Sequence, residues 1–324
     1  MLAALDKNAA QTEGKMDRII AVLDRTLVLF IGVAVGMVVG LAFVGGGGSE
    51  AVANAPDPVI ITSDEEADEA APAGECAAPY NDRLMTSLAE GDPVHIGVFG
   101  DSFGDGLWGA LYRDFRSNDD FVVHRFAQQS TGFTRYRTLN VLEDVREKIA
   151  EQPIDIAVIS FGANDTDGLW ADGTATEYMS EQWQEVVGDR VEQVVQTLRD
   201  HGAIVYWVGL PRMQRPAFDA QIRQMNAFYE NKMRELGVPY FETVSESVDD
   251  EGNYTAYMPN PDTGDRTLIR AGDGIHMTGI GYSFLIRDLE ARITDYVETA
   301  RAEARREADR RQAGRARSDG RNEG

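Results

Sequence analysis

An α/β fold, with a parallel sheet covered by helices on both faces, is predicted by three observations. From Pro93 onward, short runs of β-branched and aromatic residues alternate with longer amphipathic segments. The strand-like runs are apolar nearly throughout, as in strands buried on both faces. Blocks rich in Gly, Asp and Asn follow several of these runs, at the strand ends where parallel sheets bind ligands.

The elements read as follows. Residues 94–99 form a first strand and 107–115 a helix. Residues 121–126 are a second strand and 139–150 a second helix. Residues 154–160, Ile-Asp-Ile-Ala-Val-Ile-Ser, are a third strand. Val187, Val191, Val194, Val195 and Leu198 recur at helical spacing across 183–200. A fourth strand at 203–208, a helix at 217–236 and a short fifth strand at 239–241 come next. The stretch 245–270 holds Gly252, Asn253, Pro259, Pro261 and Gly264, and reads as an irregular loop or hairpin. One closing helix is expected from Gly279 to about Arg306.

The 324 residues are 43% hydrophobic, enough for one sizeable domain with appendages. A net charge of −23 argues against a nucleic-acid partner, because phosphate binding needs a basic face. The single cysteine, Cys76, excludes an intramolecular disulfide and a Cys/His zinc cluster. No metal or other cofactor is expected.

Residues 26–44 are apolar, uncharged and without a polar stripe, long enough to cross a bilayer as a helix. Lys7, Lys15, Arg18 and Arg25 precede this run, and the next basic residue is Arg83. The positive-inside rule then leaves 1–25 in the cytoplasm and the main domain outside, on the periplasmic or extracytoplasmic face of the inner membrane. Ala53-Asn54-Ala55 resembles a signal-peptide cleavage site. The long leader, the length of the apolar run and Pro56 favour an uncleaved anchor. Gly32, Gly36 and Gly40 share one helix face, which allows a homodimer through close helix contact, or simply reflects the glycine content of membrane helices. Residues 45–79 read as a flexible acidic linker, 80–300 as the main domain, and 301–324 as an Arg-rich tail. That tail is expected to extend the last helix in solvent and to fray by Ser318.

Three blocks carry chemistry. Phe99-Gly100-Asp101-Ser102 turns from the first strand into a helix and places a serine at the helix start. A serine there serves equally well as a cap, and Asp101 reads as structural, held by backbone amides. Asp273-Gly274-Ile275-His276 supplies a base, His276, with a carboxylate three residues earlier to orient it. Gly162-Ala163-Asn164-Asp165 follows the third strand, and the Asn164 amide can donate to a developing oxyanion or close a turn. Gly132, after the second strand, offers a backbone N–H for the same purpose.

Ser102, Gly132, Asn164 and His276 resemble the four name-giving residues of the SGNH (GDSL-type) hydrolase superfamily. Gly100-Asp101-Ser102 matches its first block, with Phe103 where Leu is common, and Asp273 with His276 matches its D-x-x-H block. The resemblance runs from about Val94 to Arg292. It implies a three-layer α/β/α fold with a five-stranded parallel sheet. It also implies ester hydrolysis without a metal, often of an O-acetyl group on a carbohydrate. On this reading Ser102, Asp273 and His276 are catalytic, and Ser102, Gly132 and Asn164 form the oxyanion hole. Trp170 and Arg135 are candidate contacts to an acylated glycan or small ester. Acyl transfer by the same residues, a glycan-binding scaffold, and a metal phosphohydrolase using Asp101, Asp105, Asp165 and Asp273 are the alternatives.

Overall fold

The structure, a computed structural model, describes residues 82–171 and 173–322. The anchor expected at 26–44 with its Gly32, Gly36 and Gly40, the linker at 45–79 and Cys76 all lie outside the described residues. Among the described residues, no helix is long and apolar enough to cross a membrane.

Five parallel strands form the main sheet: β1 (Val94–Gly100), β2 (Phe121–Arg125), β3 (Ile156–Ser160), β6 (Ile204–Val208) and β7 (Tyr240–Phe241). Their order is β2-β1-β3-β6-β7. Alternation along each central strand divides the core in two. Ile96 and Val98 of β1, Ile156 and Val158 of β3, and Tyr206 and Val208 of β6 face one cluster. Phe99, Ala157, Ile159, Val205 and Trp207 face the other.

Each face carries its own helices. On the first lie α1 (Asp82–Glu90), α2 (Ser102–Phe115), α6 (Gly279–Leu285) and α7 (Arg287–Asn322). On the second lie α3 (Val141–Glu151), α4 (Glu181–Asp200) and α5 (Pro216–Leu236). The layers are therefore helix, sheet, helix, as the motifs imply. Asn140 and Ser180 cap α3 and α4 through their side chains. Pro216 opens α5 and Gly237, at φ +61°, closes it.

Four features differ from expectation. The helix α1 precedes the first strand, in a stretch of the main domain for which no element is predicted; Leu84 and Leu88 bury it against the first cluster. The helix α2 begins five residues earlier than its periodicity suggests, because Asp101 caps it. The closing helix breaks at Ile286, giving α6 and α7. Finally, α7 extends into the tail as expected but continues past Ser318 to Asn322. Packing anchors its first part: α7 runs along α1, and Ala300 and Ala304 belong to the same cluster as Leu84 and Leu88.

Two small hairpins complete the chain. The first, β4 (Leu169–Ala171) with β5 (Thr174–Thr176), occupies what reads as a loop after Asn164. The second, β8 (Tyr257–Pro259) with β9 (Arg266–Leu268), lies in the expected irregular stretch.

Candidate active site

The carboxyl ends of the central strands are level. Gly100 pairs with Ser160 across β1 and β3, and Gln128 N donates to Gly100 O from the chain leaving β2. Gly100 has φ +152°, and a Cβ there would stand 2.8 Å from Gly104 Cα and nearer still to Ser160 O. Only glycine fits so tight a passage from strand to helix.

Asp101 takes the N-cap, its side chain accepting from Phe103 N at 2.8 Å. The cap role is thereby filled, and Ser102, the first helical residue, keeps its hydroxyl for another partner. That partner is His276: Oγ lies 2.8 Å from Nε2. On the far side of the ring, Nδ1 lies 2.6 Å from Asp273 Oδ2. Asp273 Oδ1 accepts the backbone N–H groups of Ile275 and His276, both at 2.9 Å.

Charge fixes the direction of these bonds. Partial burial works to raise the Asp273 pKa, but the hydrogen bonds from the His276 ring and from the Ile275 and His276 amides outweigh it and bring it down to about 2. An ionised carboxylate only accepts, so Nδ1 carries the proton and Nε2 accepts from the serine hydroxyl. The imidazole also stacks on the buried Phe103 ring, with centroids 5.4 Å apart at 26°. Tyr282 meets Phe103 edge-on at 6.2 Å.

Asn164 and Gly132 each stand against a buried carboxyl, Asn164 against Asp101 and Gly132 against Asp165. Asn164 Nδ2 donates to Thr131 O at 3.0 Å and has a long, 3.4 Å contact with Asp101 Oδ2. The amide is thus held by Thr131 and only weakly engaged with Asp101, the residue before Ser102. Asp165 Oδ1 accepts from both N and Oγ1 of Thr134 at 2.7 Å. Burial raises the Asp101 pKa to about 7; the Phe103 amide opposes this and the nearby Asp165 adds to it. Burial likewise raises Asp165, against its bonds from Thr134.

The two candidate substrate contacts fare differently. Arg135 is half-buried and bound to main-chain carbonyls, Nε to Asn164 O at 3.1 Å and Nη1 to Ser130 O at 3.2 Å. It braces the Asn164 backbone rather than reaching outward. Trp170 stands 58% exposed on the hairpin that follows Asn164. Sequence reasoning gave no part to Thr131 and Thr134, which hold Asn164 and Asp165, or to Arg270, buried three residues before Asp273. A lone arginine between Ile269 and Ala271 is the only local sign of that burial.

A family model described as a protein of unknown function (DUF459) matches residues 95–292. No curated protein matches the chain. Among solved structures, a GDSL-like lipase from Bacteroides thetaiotaomicron VPI-5482 is 19% identical, with 67% of this chain and 97% of that one covered and a TM-score of 0.43. The periplasmic domain of a lipopolysaccharide acetyltransferase from Salmonella ser. Paratyphi A is 12% identical, with 68% and 98% covered and a TM-score of 0.45. A carbohydrate acetylesterase from Sinorhizobium meliloti is 16% identical, with 62% and 99% covered and a TM-score of 0.42.

Proposed function

We propose that this chain, which belongs to the DUF459 family, is a serine ester hydrolase that removes O-acyl groups from a carbohydrate. The observation that carries this reading is the unbroken line from Ser102 Oγ to His276 Nε2 and from Nδ1 to Asp273 Oδ2, at 2.8 and 2.6 Å.

The chemistry follows from that line. Ser102 Oγ attacks the ester carbonyl carbon while His276 Nε2 takes its proton. Asp273 keeps the imidazole in the accepting tautomer and stabilises it once charged. We assign the backbone N–H groups of Ser102 and Gly132 and the weakly engaged amide of Asn164 as the donors that receive the negative charge as it develops. Collapse of the tetrahedral intermediate expels the alcohol, which takes the proton from His276. Water, activated by the same imidazole, then frees the acid from Ser102.

The acyl-carbohydrate substrate rests on the SGNH resemblance, and Trp170 supplies an exposed aromatic face on the hairpin that follows Asn164. The charges flanking 26–44 support a domain tethered outside the cytoplasm.

The test is hydrolysis of p-nitrophenyl acetate by the full chain and by Ser102→Ala, each with and without a chelator. Chelator-resistant turnover lost in the variant is the expected result. Turnover that survives Ser102→Ala and disappears with the chelator would replace this reading with a metal hydrolase.

A further inference from the structure

Arg270 is only 2% exposed, beneath the turn that carries His276, and the mechanism above gives it no part. That turn is the tip of a narrow hairpin. Thr278 N donates to Ile269 O and Ala271 N to His276 O, both at 2.9 Å, and Arg270 bridges Met277 in the stem.

From the stem, the guanidinium reaches three separate segments. Nη1 donates to Ile275 O at 3.3 Å, inside the turn itself. Nη2 donates to Arg212 O at 2.5 Å, in the loop after β6, and to Ser247 O at 3.4 Å. The cation lies over the Tyr254 ring, 4.9 Å from its centroid. Nε has no hydrogen-bond partner. Burial lowers the arginine's pKa to about 10, so it remains a cation at neutral pH. One other bond joins the turn to the loop after β6, from Gln214 N to Gly274 O at 2.9 Å.

A guanidinium is a poor choice for filling space. An apolar side chain of similar volume would avoid desolvating a charge. What the planar fork provides, and an apolar chain or a single ammonium does not, is simultaneous reach to carbonyls on three segments.

We propose that Arg270 is a positioning residue: it clamps the Asp273–His276 turn to the loop after β6 and so keeps Nε2 within hydrogen-bond reach of Ser102. Its depth keeps it from the substrate, and it acts through the turn alone. The proposal rests on the esterase reading of the site.

The test uses the full chain with Arg270→Lys and Arg270→Ala. Three quantities are read: the melting temperature, kcat and KM on p-nitrophenyl acetate, and the far-downfield NMR resonance of the His276 Nδ1 proton shared with Asp273. Both variants should fold, with kcat reduced about ten-fold or more and KM within about two-fold of wild type. Millimolar guanidinium should restore turnover to Arg270→Ala. The downfield resonance should be lost in Arg270→Lys and kept in Ser102→Ala. A folded Arg270→Lys with wild-type kcat and an intact resonance would overturn the proposal. Failure of both variants to fold would also overturn it, by making Arg270 part of the framework. If the wild-type chain cleaves no ester, the esterase reading fails, and the resonance still decides the role of Arg270.

Discussion

Gly132 and Asp165 meet too closely for any side chain between them: a Cβ built on Gly132 would stand 2.9 Å from Asp165 Cγ and nearer still to Oδ1. Asp165 has no room to retreat, because both donors of Thr134 hold Oδ1 at 2.7 Å. Asn164 is its chain neighbour and moves with it.

Gly132→Ala should therefore act on two levels. Overpacking of this kind costs about 1–3 kcal/mol of stability. Displacement of Asn164 together with the Gly132 amide should lower kcat by roughly 10²-fold. Thermal melting and ester turnover of the same preparation check both, and a variant with unchanged turnover would remove Gly132 from the oxyanion site.

Asn164→Ala tests the amide directly. It removes one donor while leaving the serine–histidine line intact, so kcat should fall by roughly 10²- to 10³-fold with KM little changed. Steady-state kinetics decide this, and full turnover in the variant would refute the assignment.

Phe103 presents a ring face to His276. In the proposed reaction the imidazole becomes a cation as Ser102 attacks, and an aromatic face favours a cation by about 0.5–1 kcal/mol or more. Phe103→Leu should fold, since the volume change is modest, and should lower kcat by about two- to five-fold. An unchanged kcat in a folded variant would make the ring a packing element only.

Asp101 makes stability depend on pH in a definite direction. Its folded pKa of about 7 lies above the unfolded value of 3.8. Between those values the native chain holds a proton that the unfolded chain releases. This contribution is full below 3.8, declines as pH rises through about 7, and is flat beyond. Asp273 has the opposite sign: its pKa of about 2 gives stability that is present above 3.8 and lost as pH falls toward 2. Asp101→Asn keeps a capping oxygen for Phe103 N and removes the first dependence. Urea unfolding at pH 5 and pH 8 should show a smaller difference for the variant than for the wild type; equal differences would refute the shift.

Much of this was legible in the sequence, for identifiable reasons. Buried parallel strands are continuous apolar runs, so β1, β3 and β6 announce themselves in Val94–Gly100, Ile156–Ser160 and Ile204–Val208. Ser102, Asp273 and His276 sit in short blocks whose chemistry is local. The nine-residue α1 escaped notice because it follows a low-complexity stretch and buries mainly Leu84 and Leu88. The break at Ile286 has no proline or glycine to mark it; the residue is fully buried and leaves the helical region only slightly, at φ −104° and ψ 2°. Arg135 reads as a candidate substrate contact and Arg270 receives no part, because little in their immediate sequence reveals that distant carbonyls will claim them.

The nucleophile and the base are 174 residues apart, and the base arrives last. As the chain is synthesised, Ser102 is present and β1 to β7 can pair before residues 273–276 exist. Until they arrive, the serine has no imidazole to take its proton and stays an ordinary alcohol. On the proposed mechanism catalytic competence is therefore a late event in the life of each molecule, and a chain stopped within the β8–β9 hairpin would lack both its base and the helices α6 and α7 that cover one face of the sheet.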